Sequence, residues 1–172
     1  MISKLDILSV KYKYLYNSLL FLNKNNKKVI DYKTQGFENL KEKVNDLPQD
    51  IAFMPSLFTK RSTCLKIKDK SYIFLSKYNL KKPVESMFDA LYHEIGHWLH
   101  FKQMPPKEER QHIWKNSGVS LEKIEAEVSK RATEDDDGKE FVAEVFKGTV
   151  KGEKYDADIM YLYYLLNGPV VK

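Results

Sequence analysis

Between Val84 and Lys102 the chain carries His93-Glu94-Ile95-Gly96-His97, within a run that only Gly96 disfavours as helix. Pro83 stands at its start, where proline is tolerated. Two imidazoles four apart on a helix lie on one face, with Cβ atoms roughly 5–6 Å apart. That separation lets both ring nitrogens reach one zinc ion at about 2.0–2.1 Å. The glutamate after the first histidine is then placed to take a proton from water activated by the ion. At 100° per residue, Ser86, Ala90, His93, His97 and His100 form one strip. Val84, Met87, Phe88, Leu91, Ile95, Trp98 and Leu99 fall opposite. The pattern predicts a helix with one face in a core and the other turned to a cleft. His100, a turn beyond His97, reads as a helix-end or supporting histidine rather than a ligand.

Two histidines need a third protein ligand and one position left for water. Lys139-Glu140-Phe141-Val142-Ala143-Glu144-Val145-Phe146 offers two glutamates four apart, with Phe141, Val142, Val145 and Phe146 on another face. In one reading Glu140 binds the metal and Glu144 accepts the N–H of a ligand histidine. In the other, Asp137 and Glu140 form a capping box and Glu144 is the ligand. The acids of Glu134-Asp135-Asp136-Asp137-Gly138 lack EF-hand spacing. They are expected to be solvated and to favour the start of the following helix.

The remaining sequence suits one α+β domain of 172 residues, with a helical part over 1–48, a sheet and the histidine helix over 49–102, and a second helical part over 103–172. Residues Leu5 to Leu22 repeat leucines at helical spacing, and a second helix is expected from Thr34 to Leu47, before Pro48. Val29 to Tyr32 reads as a short strand. Asp50 to Met54, Thr63 to Lys68 and Ser71 to Ser76 read as the strands of a small, mostly antiparallel sheet, with a turn at Asp69-Lys70. An exposed edge of such a sheet can hold an extended polypeptide as an added strand. Lys107 to Asn116, a helix from Ser120 to about Arg131, and Tyr155 to Leu166 follow.

Composition narrows the class. With 42% hydrophobic residues the chain is neither disordered nor a membrane protein, and no apolar run of about 18 residues spans a bilayer. The net charge of +5 is dispersed, which does not point to nucleic acid. Cys64 is the single cysteine, so no internal disulfide forms and no cysteine cluster binds metal. Asp6, Lys11 and Lys13 interrupt any signal-peptide core. A cytoplasmic location, or export by a route not visible in the sequence, is expected. Oligomeric state is not encoded in any pattern.

The two motifs together, His93-Glu94-Ile95-Gly96-His97 and Glu140-Phe141-Val142-Ala143-Glu144-Val145-Phe146, resemble the gluzincin zinc metallopeptidases, most of all the catalytic domain of anthrax lethal factor and its relatives. The resemblance covers roughly Ser71 to Gly148. It implies a zincin-like fold, a small α+β domain with an edge strand beside the active-site helix. It further implies a zinc endopeptidase with His93, His97 and Glu140 on the metal and Glu94 as general base. The family carries a tyrosine shortly before its second motif that donates to the tetrahedral intermediate. Here Thr133 stands near that place, and no tyrosine lies between Lys102 and Lys154. His112 and Tyr155 are the remaining candidates for that role. A metzincin is disfavoured, since His100 replaces that motif's glycine and Gln103 its third histidine. Two further classes fit: a regulatory protease resembling the ImmA/IrrE group, which acts on a repressor, and a non-catalytic, zinc-stabilised binding protein.

Overall fold

The structure is a computed structural model that describes Lys27, Asp31, 34–44, Leu47, 52–56, 61–67, 70–76, Tyr78, Lys81 and 84–172. The expected helix from Leu5 to Leu22 lies outside these residues. Asp31, inside the stretch expected as a strand, is helical. The architecture is α+β. The described residues cluster into two compact units, those within Met1–Gln35 and Asp50–Met87 and those within Gly36–Gln49 and Phe88–Lys172.

The first unit holds a three-stranded sheet: β1 (Ala52–Ser56), β2 (Thr63–Ile67) and β3 (Lys70–Ser76), in the order β1-β3-β2. β2 and β3 form the expected antiparallel hairpin, with Ile67 opposite Lys70, so Lys70 belongs to the strand rather than the turn. β1 pairs with β3 in parallel, which makes the sheet mixed and corrects the mostly antiparallel expectation. A hairpin is written locally by its turn, whereas the direction of a strand paired across an intervening one is not. Pro55 has no N–H to donate and sits in β1, an edge of the described sheet. Ile73 and Leu75 are buried, and Tyr72 and Phe74 stack on the alternate face with centroids 6.1 Å apart.

The second unit is helical. A helix at 34–41 (α1) ends earlier than expected, because the Lys43 and Val44 amides both close on the Leu40 carbonyl. α2 (Val84–Phe101), α3 (Lys107–Asn116), α4 (Leu121–Glu127), a 3-10 turn (Lys130–Thr133), α5 (Lys139–Lys151) and α6 (Ala157–Leu165) follow. α4 stops short of Arg131: Ser129 breaks away and its hydroxyl accepts from the Ala132 amide, starting the 3-10 turn. α5 is the centre of this core, with Phe141, Val142, Ala143, Val145 and Phe146 fully buried. Leu91 and Ile95 of α2, Ile124 of α4, and Ile159 and Leu162 of α6 complete it. Trp114 of α3 packs on Phe141, with ring centroids 5.5 Å apart.

Two expectations about exposure are corrected. The histidine strip of α2 does not face an open cleft: His93, Glu94, His97 and His100 are all buried, because α5 and the 3-10 turn cover that face. Nor are the acids before α5 uniformly solvated. Asp137 is buried in an ion pair with Arg110 at 2.6 Å, and Arg110 also donates to the Pro105 carbonyl. Among the described residues no helix is long and apolar enough to cross a membrane.

Candidate metal centre

Two helices meet at the site. α2 supplies His93, Glu94 and His97, and α5 supplies Glu140 and Glu144. Gly96 sets their spacing: a Cβ there would lie 3.0 Å from Phe146 Cδ1 and 3.2 Å from the Ala143 Cα. A side chain here would press on the α5 backbone, which would have to give by a few tenths of an ångström.

Asp135 fixes where α5 begins. Its carboxylate accepts from the Gly138 and Glu140 amides, both at 3.0 Å. The capping role considered for Asp137 with Glu140 therefore falls to Asp135, which leaves the Glu140 side chain for other partners. Glu140 Oε2 lies 3.2 Å from His93 Nε2, and Glu140 Oε1 lies 3.1 Å from His97 Nε2. A tetrahedral ion with bonds near 2.05 Å would set its ligand atoms roughly 3.3 Å apart. Among the described residues, His93, His97 and Glu140 are the group that could hold a metal ion.

The chemistry of the donors fits that use. His93 Nδ1 donates to Glu144 Oε1 at 2.7 Å, which keeps the ring proton on Nδ1 and turns the Nε2 lone pair toward His97 and Glu140. His93 Nε2 is buried without a hydrogen-bond partner. A buried polar atom left so is costly unless something binds it. Glu144 is already engaged: besides His93 it accepts from Ser129 Oγ at 2.8 Å and from Lys147 Nζ at 2.5 Å. Of the two glutamates it is Glu140 that faces both ring nitrogens.

Charge follows the same division. Burial would lift the Glu140 carboxyl, but the His93 and His97 imidazoles beside it outweigh burial and hold the group well below the usual carboxylate range. Burial would also lift Glu144, yet His93 and Lys147 bring it down to about 2. For His93, burial is outweighed by Glu140 and Glu144, and its pKa rises. For His97 burial prevails and its pKa falls.

Glu94 is buried, its side chain 3% exposed, with Arg131 Nη2 3.9 Å from its Oε1. The same guanidinium donates through Nε to Glu140 Oε2 at 2.9 Å. Arg131, Ser129 and Lys147 were not singled out by motif. A signal for Arg131 does exist: this chain has three arginines among its 29 basic residues. Two of them, Arg110 and Arg131, meet carboxylates where a planar fork suits better than an ammonium.

The other expected residues lie elsewhere. His100 Nε2 donates to the Leu166 carbonyl at 2.8 Å, which bears out its helix-end role. His112 is exposed on α3, and its Nδ1 lies 3.2 Å from the Asn116 amide. The Tyr155 hydroxyl donates to Glu153 and lies against Gly148, eight residues along α5 from Glu140, a rise of about 12 Å. Thr133 donates to Glu125 and to the Lys130 carbonyl. Neither His112 nor Tyr155 is brought to the cluster.

No family model, no curated protein and no solved structure matches the chain.

Proposed function

We propose that the protein is a zinc-dependent endopeptidase of the gluzincin type, with a zincin-like catalytic unit. The observation that carries this reading is the meeting of His93 Nε2, His97 Nε2 and the Glu140 carboxylate at 3.1–3.2 Å, with the H-E-x-x-H glutamate beside them. Zinc fits three N/O donors, two of them imidazoles, with room for one further ligand. Glu144, Ser129 and Lys147 would hold His93 in register from behind.

When bound, the ion would supply Lewis-acid polarisation of the scissile carbonyl and acidify a water molecule. The chain's own residues do the rest. Glu94 takes the proton of the attacking water as its oxygen bonds to the carbonyl carbon and the C=O π pair moves to oxygen. When the C–N bond breaks, its electron pair leaves with nitrogen, and Glu94 returns the proton to the amine. Glu94 is suited to this, since its carboxylate is buried with the Arg131 guanidinium 3.9 Å away. The substrate is a polypeptide.

Glu94→Gln tests the assignment. The variant should bind one equivalent of zinc by elemental analysis and lose about 10²–10⁴-fold in cleavage of a random peptide library. Undiminished cleavage would remove Glu94 from the mechanism.

A further inference from the structure

The peptidase reading leaves the carbonyl oxygen's growing charge without a protein partner, since His112 and Tyr155 lie elsewhere. We propose that Arg131 is a catalytic residue that donates to this oxygen. The inference rests on the peptidase reading and adds the group that recognises the tetrahedral state.

Four observations carry it. The Arg131 guanidinium pairs with both functional acids, through Nε to Glu140 at 2.9 Å and with Nη2 3.9 Å from Glu94. A reacting carbonyl has to lie between the metal ligand and the base, so it must lie within reach of this side chain. Next, among the described residues only Nε has a hydrogen-bond acceptor. At 3.9 Å the Glu94 contact is beyond hydrogen-bond length, which leaves the Nη donors for another acceptor. Third, side-chain exposure rises from 1% at His93 and 3% at Glu94 to 23% at Glu140 and 28% at Arg131, so Arg131 stands on the more exposed side of the cluster. Fourth, the turn bearing Arg131 is anchored to the site itself: Ser129 caps it through the Ala132 amide and donates to Glu144, the acid that holds His93.

A cation so fixed interacts little with a neutral carbonyl and strongly with an oxygen that has become an anion. That difference between ground and transition state is what accelerates a reaction. Glu140 keeps the fork oriented. Lysine at this position would keep the charge but could not bond Glu140 and the oxygen at once.

The test uses the full chain loaded with zinc, the peptide cleaved fastest from a random library, and the phosphinic analogue of that peptide as a tetrahedral mimic. Arg131→Ala should retain one equivalent of zinc, keep KM within a few-fold and lose about 10²–10³-fold in kcat. It should bind the phosphinic peptide correspondingly more weakly, and Arg131→Lys should recover part of both losses. Unchanged kcat, a rise in KM alone, or zinc lost in step with activity would overturn the proposal. Wild-type protein that binds zinc and cleaves no peptide would instead overturn the peptidase reading, and this inference with it.

Discussion

His100 shows how a residue from the same strip as the metal ligands serves a different end. Its Nε2 donates to the Leu166 carbonyl, while its Nδ1 is buried without a partner. Protonation would put an unmatched charge there, and burial accordingly lowers its pKa to about 4. The unfolded value is near 6.5, so the unfolded chain binds the proton first as pH falls. Stability from this residue is complete above the unfolded pKa and drains away between about pH 6.5 and 4, by roughly 3 kcal/mol. Urea titrations of metal-free protein at pH 7 and pH 4 should show that loss, and His100→Gln should shrink the difference, leaving the share of His97, whose pKa burial also lowers. An equal acid sensitivity in the variant would mean that His100 is not the group responsible. None of this could be read from sequence. Spacing put His100 beside His97, and only the position of Leu166 decides what its ring nitrogen meets.

At the scale of elements, the site depends on how close α2 and α5 come. Gly96→Ala would gain about 1 kcal/mol of helix propensity, but its Cβ would meet the Ala143 backbone and the Phe146 ring at 3.0–3.3 Å. Backbone cannot give way as a flexible side chain does, and overpacking a tight contact costs about 1–3 kcal/mol. The variant should melt lower than wild type by thermal denaturation and bind zinc more weakly, since Glu140 moves with α5. A higher melting temperature would show that the helices have room to spare. The helices themselves were largely legible: α2, α3 and α6 fall within a residue or two of their apolar period and their Pro or Gly stops. The errors share one cause. β1 took its direction from β3, and α4 ended where Ser129 turned aside to reach Glu144. In each case a distant partner outweighed local pattern.

Across the molecule, the group that could hold a metal ion draws on positions 93, 97 and 140, so one ion there would cross-link α2 to α5. Binding only to the folded chain, zinc at a thousand times its Kd should add about 4 kcal/mol to stability. The melting temperature should rise on zinc addition, fall back with chelator, and no longer respond in Glu140→Ala. A transition indifferent to zinc in the wild-type chain would contradict the three-ligand assignment. That these two stretches meet was legible because each has its own spacing, i to i+4 on both helices; which glutamate faces the imidazoles is not decided by it. What surrounds the site was not legible, because Ser129, Arg131 and Lys147 belong to no motif and acquire their roles only when α5 docks. That docking has a consequence for birth of the protein. The tie from His100 to Leu166 closes over 66 residues, so at about 5–20 residues per second the histidine helix is made several seconds before the segment that seats it. Glu140 follows His97 by 43 residues, so for about 2–9 seconds of synthesis the two imidazoles of the motif exist without either acid, and any ion they meet then is held by half a grip.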